Sequence, residues 1–181
     1  IRDIGVTGVQ TCALPIYKTE AGAIKMSLRS SNEVSKAVEQ IKSNVEIFNS
    51  AALTDVFLVE TMVAAPVAEL MVNIRYDSEF GFVMTLATGG ILVELFADST
   101  TILLPTSRND LVRALSRLKI KRLLDGYRGQ SEANMESLLS TLERLTEFAT
   151  DPLNKVAEIE INPLFVGKDV TCAIDVLMQI T

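Results

Sequence analysis

Apolar residues recur along this chain with two periods, about 3.6 and about 2, and the switches between them mark out the elements. Val34, Ala37, Val38, Ile41, Val45 and Phe48 fall on one helical stripe. The capping box Ser30-Ser31-Asn32-Glu33 opens that helix. Ser107 with Asp110 caps a second helix, whose inward residues are Leu111, Ala114, Leu115 and Leu118. A third runs over roughly residues 133–149, with Met135, Leu138, Leu139, Leu142, Leu145 and Phe148 inward. Strands are expected over residues 23–28, 56–62, 69–75, 82–87 and 101–104, the last stopped by Pro105. Asp77-Ser78-Glu79-Phe80-Gly81 is the turn between the third and fourth of these. Short turns between neighbouring strands imply antiparallel pairing, and without strict βαβ alternation the class is α+β. No linker or internal repeat divides the chain, which is long enough for one domain with a sizeable core.

The final segment reads as a β-hairpin, with Ile159 and Ile161 alternating with Glu160 and Asn162. On the return strand Cys172, Ile174 and Val176 alternate with Thr171, Ala173 and Asp175. A two-residue turn at Gly167-Lys168 sets Asn162 opposite Ala173 and Glu160 opposite Asp175. Two carboxylates directly opposite repel, unless a cation, a basic side chain or a shifted pKa compensates. The oxygens of Glu160, Asn162 and Asp175 suit a hard cation such as magnesium, with phosphate oxygens completing its shell. The same pattern also suits the solvated face of an ordinary hairpin.

Composition narrows the function classes. The chain has 181 residues, 48% of them hydrophobic, and a mean hydropathy of +0.29, which marks a folded chain. No run of eighteen apolar residues is present, so no membrane span is expected. A net charge of −6 argues against nucleic acid as a partner, because phosphate backbones demand basic patches. A nucleotide needs only a few local groups and is not excluded. The two cysteines, Cys12 and Cys172, form no Cys-x-x-Cys pattern, so a reducing cytoplasm is the expected compartment. The chain has no His, the commonest general base and transition-metal ligand.

Two glycine features carry candidate chemistry. Thr88-Gly89-Gly90 breaks the chain before Ile91, and a glycine pair lets backbone amides approach a phosphate. A plain hairpin turn satisfies the same residues. Arg128 lies in a loop bracketed by Gly126 and Gly129, where its fork suits a carboxylate, a phosphate or a surface ion pair. Residues 1–16 read differently from the rest. Residues 6–16 resemble the conceptual translation of a sequencing-library adaptor, so 1–16 are expected to be non-native and are left out of the fold reading, with 17–181 a truncated domain.

Six motifs occur in order: Lys18-Thr19-Glu20-Ala21-Gly22-Ala23, Val59-Glu60-Thr61-Met62-Val63, Phe80-Gly81-Phe82-Val83-Met84, Thr88-Gly89-Gly90-Ile91-Leu92-Val93-Glu94-Leu95, Leu123-Leu124-Asp125-Gly126-Tyr127-Arg128-Gly129 and Glu158-Ile159-Glu160-Ile161-Asn162-Pro163-Leu164. Together they resemble the ATP-grasp domain of NDP-forming acyl-CoA synthetases, the ADP-forming acetate–CoA ligases related to the succinate–CoA ligase β-subunit. The resemblance runs from about Tyr17 to the C-terminus and implies an ATP-grasp fold, an antiparallel-rich mixed sheet packed with helices and cut short at its N-terminus. It implies the reaction of an acid, CoA and ATP to acyl-CoA, ADP and phosphate, through acyl phosphate and phosphohistidine.

The resemblance implies magnesium at Asn162 and Asp175 with Glu160 beside them. It implies a nucleotide near Lys18, Glu60, Met62, Gly89, Gly90 and Arg128, with Glu94 in the glycine-rich motif. CoA-binding and ligase domains on the same or another chain, and an oligomer of the full-length enzyme, are implied as partners. Tyr17 stands where the family has the His of phosphoryl transfer; one adaptor base replacing the first base of a His codon makes Tyr. Two rival readings remain: an ATP-grasp-like regulatory region of a protein lysine acetyltransferase, and a non-catalytic α+β interaction module.

Overall fold

The computed structural model describes residues 7–11, 19–52, 55–90 and 98–181. Tyr17, Lys18 and Glu94 lie outside the described residues. The chain divides into two compact units, Ile1–Ala64 and Ala65–Thr181, where the sequence suggested one continuous domain.

In the first unit, β1 (Thr7–Thr11) is the middle of a three-stranded antiparallel sheet, between β2 (Ile24–Leu28) and β3 (Phe57–Thr61). Residues 7–11, set aside in the sequence analysis as part of a non-native segment, pair into this sheet. Thr7 and Val9, both β-branched, are buried, and Val9 packs with Ala23, Ile41 and Val45. Helix α1 (Ser31–Phe48) starts as expected: the Ser30 hydroxyl accepts from the Glu33 N–H at 3.2 Å, and Glu33 Oε2 accepts from the Arg29 N–H at 2.8 Å. Phe48, expected inward, is 51% exposed. An 18-residue helix reaches about 27 Å, whereas five-residue strands reach about 17 Å, so the last turn outruns the sheet it packs on.

The second unit is one antiparallel sheet with helices on one face. Its strands are β4 (Ala68–Asp77), β5 (Gly81–Thr88), β6 (Ser99–Leu103), β7 (Val156–Val166), β8 (Thr171–Ala173) and β9 (Val176–Ile180). The order is β6-β5-β4-β7-β8, and β9 also pairs with β7. Every pairing among the described strands is antiparallel. Helices α2 (Arg108–Arg117), α3 (Lys121–Leu124) and α4 (Met135–Thr150) supply the rest of the core. Leu70, Val72 and Ile74 of β4 are 0% exposed and cluster with Leu111, Leu115, Leu138 and Leu142. Burial of each such side chain contributes roughly 1.5–3 kcal/mol. Period two sends Glu69, Met71, Asn73 and Arg75 to the opposite, polar face. Phe148 is another residue expected inward that is exposed, at 42%, while Met135 and Leu145 pack partly buried against the core. No helix among the described residues is long and apolar enough to cross a membrane.

Candidate functional site

β7 changes phase in its middle. Ile159 and Ile161 are buried, and so are Leu164 and Val166, a spacing of three where a regular strand keeps two. Against β4, Val72 faces Ile161 and Leu70 faces Leu164, so Met71 alone confronts both Asn162 and Pro163. This is a β-bulge, a device that re-aims side chains where it occurs. The return strand is interrupted at the same level, β8 ending at Ala173 and β9 starting at Val176.

The hairpin register differs from the sequence expectation. Gly167 N–H donates to the Val170 carbonyl at 2.9 Å, so Lys168-Asp169 make the turn instead of Gly167-Lys168. Leu164 then faces Ala173, and Glu160 faces Leu177 on one side and Asn73 on the other. Glu160 does not oppose Asp175, and the facing carboxylate pair is corrected. A one-residue shift of the turn moves each partner by two, so side chains keep their face and change only their neighbour. Asn162 takes the place opposite Asp175, with its N–H donating to the Asp175 carbonyl at 3.1 Å.

The glycine turn comes to this bulge. Gly89 N–H donates to the Glu69 carbonyl at 2.8 Å, extending the β4–β5 ladder by one bond. A Cβ on Gly89 would lie 2.5 Å from the Leu70 carbonyl carbon and oxygen, so glycine is required by close backbone approach. Gly90 has φ +69°, and its N–H donates to Asn162 Oδ1 at 3.0 Å. A Cβ there would collide with Glu69 Oε2, so the Glu69 carboxylate lies beside the turn. Gly89, Gly90, Asn162 and Glu69 thus meet, with Asp175 across the ladder from Asn162.

These donors fit a hard cation. Asn162 Oδ1 retains a second lone pair, and the nearby Glu69 and Asp175 are carboxylates, residue types of the kind that bind magnesium. Among the described residues no three His, Cys, Asp or Glu side chains form a metal-sized cluster. Magnesium needs no such cage, since it takes about one or two carboxylates and completes its shell with substrate phosphates and water.

A cavity of about 910 Å³ adjoins the turn, walled by Glu69, Thr88 and Gly89 on one side and Lys119, Ile120 and Tyr127 on another. Arg128 follows Tyr127 and stacks over its ring at 5.3 Å, with its own φ at 51° between the positive-φ glycines Gly126 and Gly129. Glu60 and Met62 belong to the first unit. Glu60 Oε2 accepts from Gln10 Nε2 at 3.0 Å, and Met62 Sδ lies beside Gly8.

Two residues of this region escaped the sequence reading. Glu69, the second residue of β4, lies on its polar face. Asp98 is 8% exposed and receives the Lys119 N–H at 2.9 Å, the Ile120 N–H at 3.1 Å and the Thr88 hydroxyl at 2.9 Å. Burial pushes its carboxyl upward, but those three donors outweigh burial and hold it below the ordinary aspartate range. The available signal was an isolated acid between an apolar run and a strand.

A family profile described as an ATP-grasp domain matches residues 11–180. The β-subunit of acetate–CoA ligase [ADP-forming] I from Pyrococcus furiosus is 28% identical over 179 residues, covering 97% of this chain and 76% of that protein. The 4-hydroxybutyrate–CoA ligase [ADP-forming] of Nitrosopumilus maritimus is 30% identical over 167 residues, 91% of this chain but 24% of that protein. The chain therefore spans about a quarter of one relative and about three quarters of the other. A solved structure of the dinucleotide forming acetyl-coenzyme A synthetase 1 of Ca. Korarchaeum cryptofilum, in complex with coenzyme A and Mg-AMPPCP, superposes with a TM-score of 0.82 at 26% identity, covering 98% of this chain and 78% of that one.

Proposed function

The chain belongs to the ATP-grasp domain family, and on that premise we propose that it is the nucleotide- and magnesium-binding module of an ADP-forming acyl-CoA synthetase. The whole enzyme joins an acid to CoA at the expense of ATP, releasing ADP and phosphate. The observation that carries this reading is the hydrogen bond from Gly90 N–H to Asn162 Oδ1, made at a bulge opposite Asp175. It fixes the Asn162 amide oxygen beside the glycine turn, and the backbone pairing puts Asp175 next to Asn162 across the ladder, which supports a site for a metal-bound phosphate there.

Asn162 and Asp175 would hold the magnesium ion, and Glu160, two residues before Asn162, adds negative charge to the same strand. A bound magnesium ion supplies charge neutralisation of bridging phosphate oxygens. Gly90 orients Asn162, so no reorganisation is required when the nucleotide arrives. Gly89 brings the turn flat against β4 and keeps that approach short. Glu60, Met62, Lys18 and Arg128 are proposed nucleotide contacts. CoA-binding and ligase domains are the proposed partners, and they carry the acyl chemistry.

Tyr17 is the proposed position of the phosphoryl-accepting His. The open reading frame around this segment, sequenced from an uncontaminated clone, is expected to read His there; Tyr would remove that part of the proposal. For the site itself, Mg-ADP is titrated calorimetrically into the chain and its Asn162→Ala variant. Binding that disappears in the variant, with the far-ultraviolet circular dichroism unchanged, supports the site. Equal affinity in both overturns it.

A further inference from the structure

We infer that Asp98 is a positioning residue for the glycine turn. It grips Thr88 from the helix-covered side of the sheet and thereby holds Gly90 where its N–H meets Asn162. The inference rests on the nucleotide reading for its functional consequence, though not for its geometry.

Thr88 ends β5 and faces the core side of the sheet, opposite Leu70. Asp98 holds it at two points: the Thr88 N–H donates to the Asp98 carbonyl at 3.1 Å, and the Thr88 hydroxyl donates to Asp98 Oδ2 at 2.9 Å. The same carboxylate is anchored away from the turn. Oδ1 receives the Lys119 N–H at 2.9 Å, and Oδ2 receives the Ile120 N–H at 3.1 Å. Lys119 and Ile120 wall the cavity across from Thr88 and Gly89, so one buried side chain ties the turn's flank to a helix entrance.

The turn requires such a tether. Two consecutive glycines lose more conformational freedom on ordering than any other pair. Gly89 is pinned by its bond to Glu69 and its approach to Leu70, and Gly90 is pinned by Asn162. The bond to Asn162 is useful only if the flank at Thr88 is stationary, because an error of an ångström there is carried to the Gly90 amide. A carboxylate suits this task better than a neutral group. It accepts from several donors at once, and hydrogen bonds to an ionised acceptor are stronger than neutral ones.

The test uses the full chain with Thr88→Val, Thr88→Ser and Asp98→Asn. Hydrogen exchange of the Gly90 amide is measured by NMR without ligand, with the β4 amides of Val72 and Ile74 as internal controls. Calorimetry then reads Mg-ADP affinity below the melting temperature. Loss of one such bond should speed Gly90 exchange and weaken Mg-ADP about tenfold in Thr88→Val and Asp98→Asn, with Thr88→Ser restoring both. Should Asp98→Asn fail to fold, the Thr88 pair decides by itself. A Thr88→Val protein that melts earlier but keeps Gly90 protection and affinity would make Asp98 a purely structural residue and overturn the inference. If the unaltered chain takes up no Mg-ADP while Gly90 still loosens in Thr88→Val, the nucleotide reading falls and the positioning of the turn stands.

Discussion

Two hairpins share one sheet in the second unit, and they are built on opposite plans. The β4–β5 hairpin runs eight consecutive pairs, from Leu70 with Thr88 to Asp77 with Gly81, without a slip. Its turn is closed by the Asp77 carboxylate, which accepts from the Glu79 and Phe80 amides at 2.9 and 3.1 Å. Its inner side chains, Val72, Ile74, Met84 and Leu86, are all 0% exposed. The hairpin of β7 with β8 and β9 is broken at mid-length on both strands, at Asn162-Pro163 and at Ile174-Asp175. Its return strand β9 is exposed along its whole length. The first hairpin shows what a ladder looks like when packing alone decides it. The second departs from that plan where polar atoms turn toward the glycine turn, and a bulge is how a strand releases side chains from the alternation.

Substitutions in the two hairpins should act on different properties. The largest effect on stability is expected from Leu86→Ala in the regular hairpin, which should cost about 2–5 kcal/mol by chemical denaturation. It should leave Mg-ADP affinity of the folded protein unchanged. Asn162→Ala in the irregular hairpin should do the reverse. In the full-length enzyme it is expected to lower ADP-dependent turnover by at least about 10–100-fold, while the denaturation midpoint stays put. Gly89→Ala joins the two plans, because its methyl would press on the Leu70 carbonyl. It should cost about 1–3 kcal/mol by denaturation and weaken Mg-ADP as well, since the turn must shift to make room.

The smallest effect is a pH dependence. Asp98 and Asp77 both lie below the ordinary aspartate range when folded: in Asp98 the Lys119, Ile120 and Thr88 donors outweigh burial, and in Asp77 the Glu79 and Phe80 amides dominate. A carboxyl depressed by folding adds stability above its unfolded pKa of about 3.9, and that contribution is lost as pH falls through the folded value. Melting temperature should therefore drop on acidification below about pH 4. Asp98→Asn should flatten that drop more than Asp77→Asn, because Asp77 is a solvent-screened turn residue. Equal flattening by both would erase the distinction between the two regions.

Local rules account for most of what could be read beforehand. The capping residues Ser30 and Ser107 start their helices as expected, because a cap is decided within a few neighbouring positions. The strands expected over 69–75 and 82–87 form within β4 and β5, because runs rich in apolar and β-branched residues between turn residues are decided locally. Asn162, Gly89 and Gly90 were legible as candidates, and the structure brings them together. The facing of Glu160 with Asp175 was not. It depended on which residues made the turn, and Gly167-Lys168 and Lys168-Asp169 are nearly equal choices locally. The contact of Gly167 N–H with Val170, and of Asn134 with the Gly167 carbonyl at 2.9 Å, selects the second.

Element types, most of the helices' inward stripes, the α+β class and the oxygen-rich character of the last hairpin are legible in the chain's local pattern. These follow from interactions over a few residues, or from apolar area that must leave water whatever its partner. The tertiary structure alone decided that a glycine amide reaches Asn162 across 72 positions, that Asp175 stands opposite that asparagine, and that Asp98 ties Thr88 to Lys119 and Ile120. Such contacts depend on strand register and on one bulge. Both are set by the sum of many weak cross-strand packings, which no short stretch of residues contains.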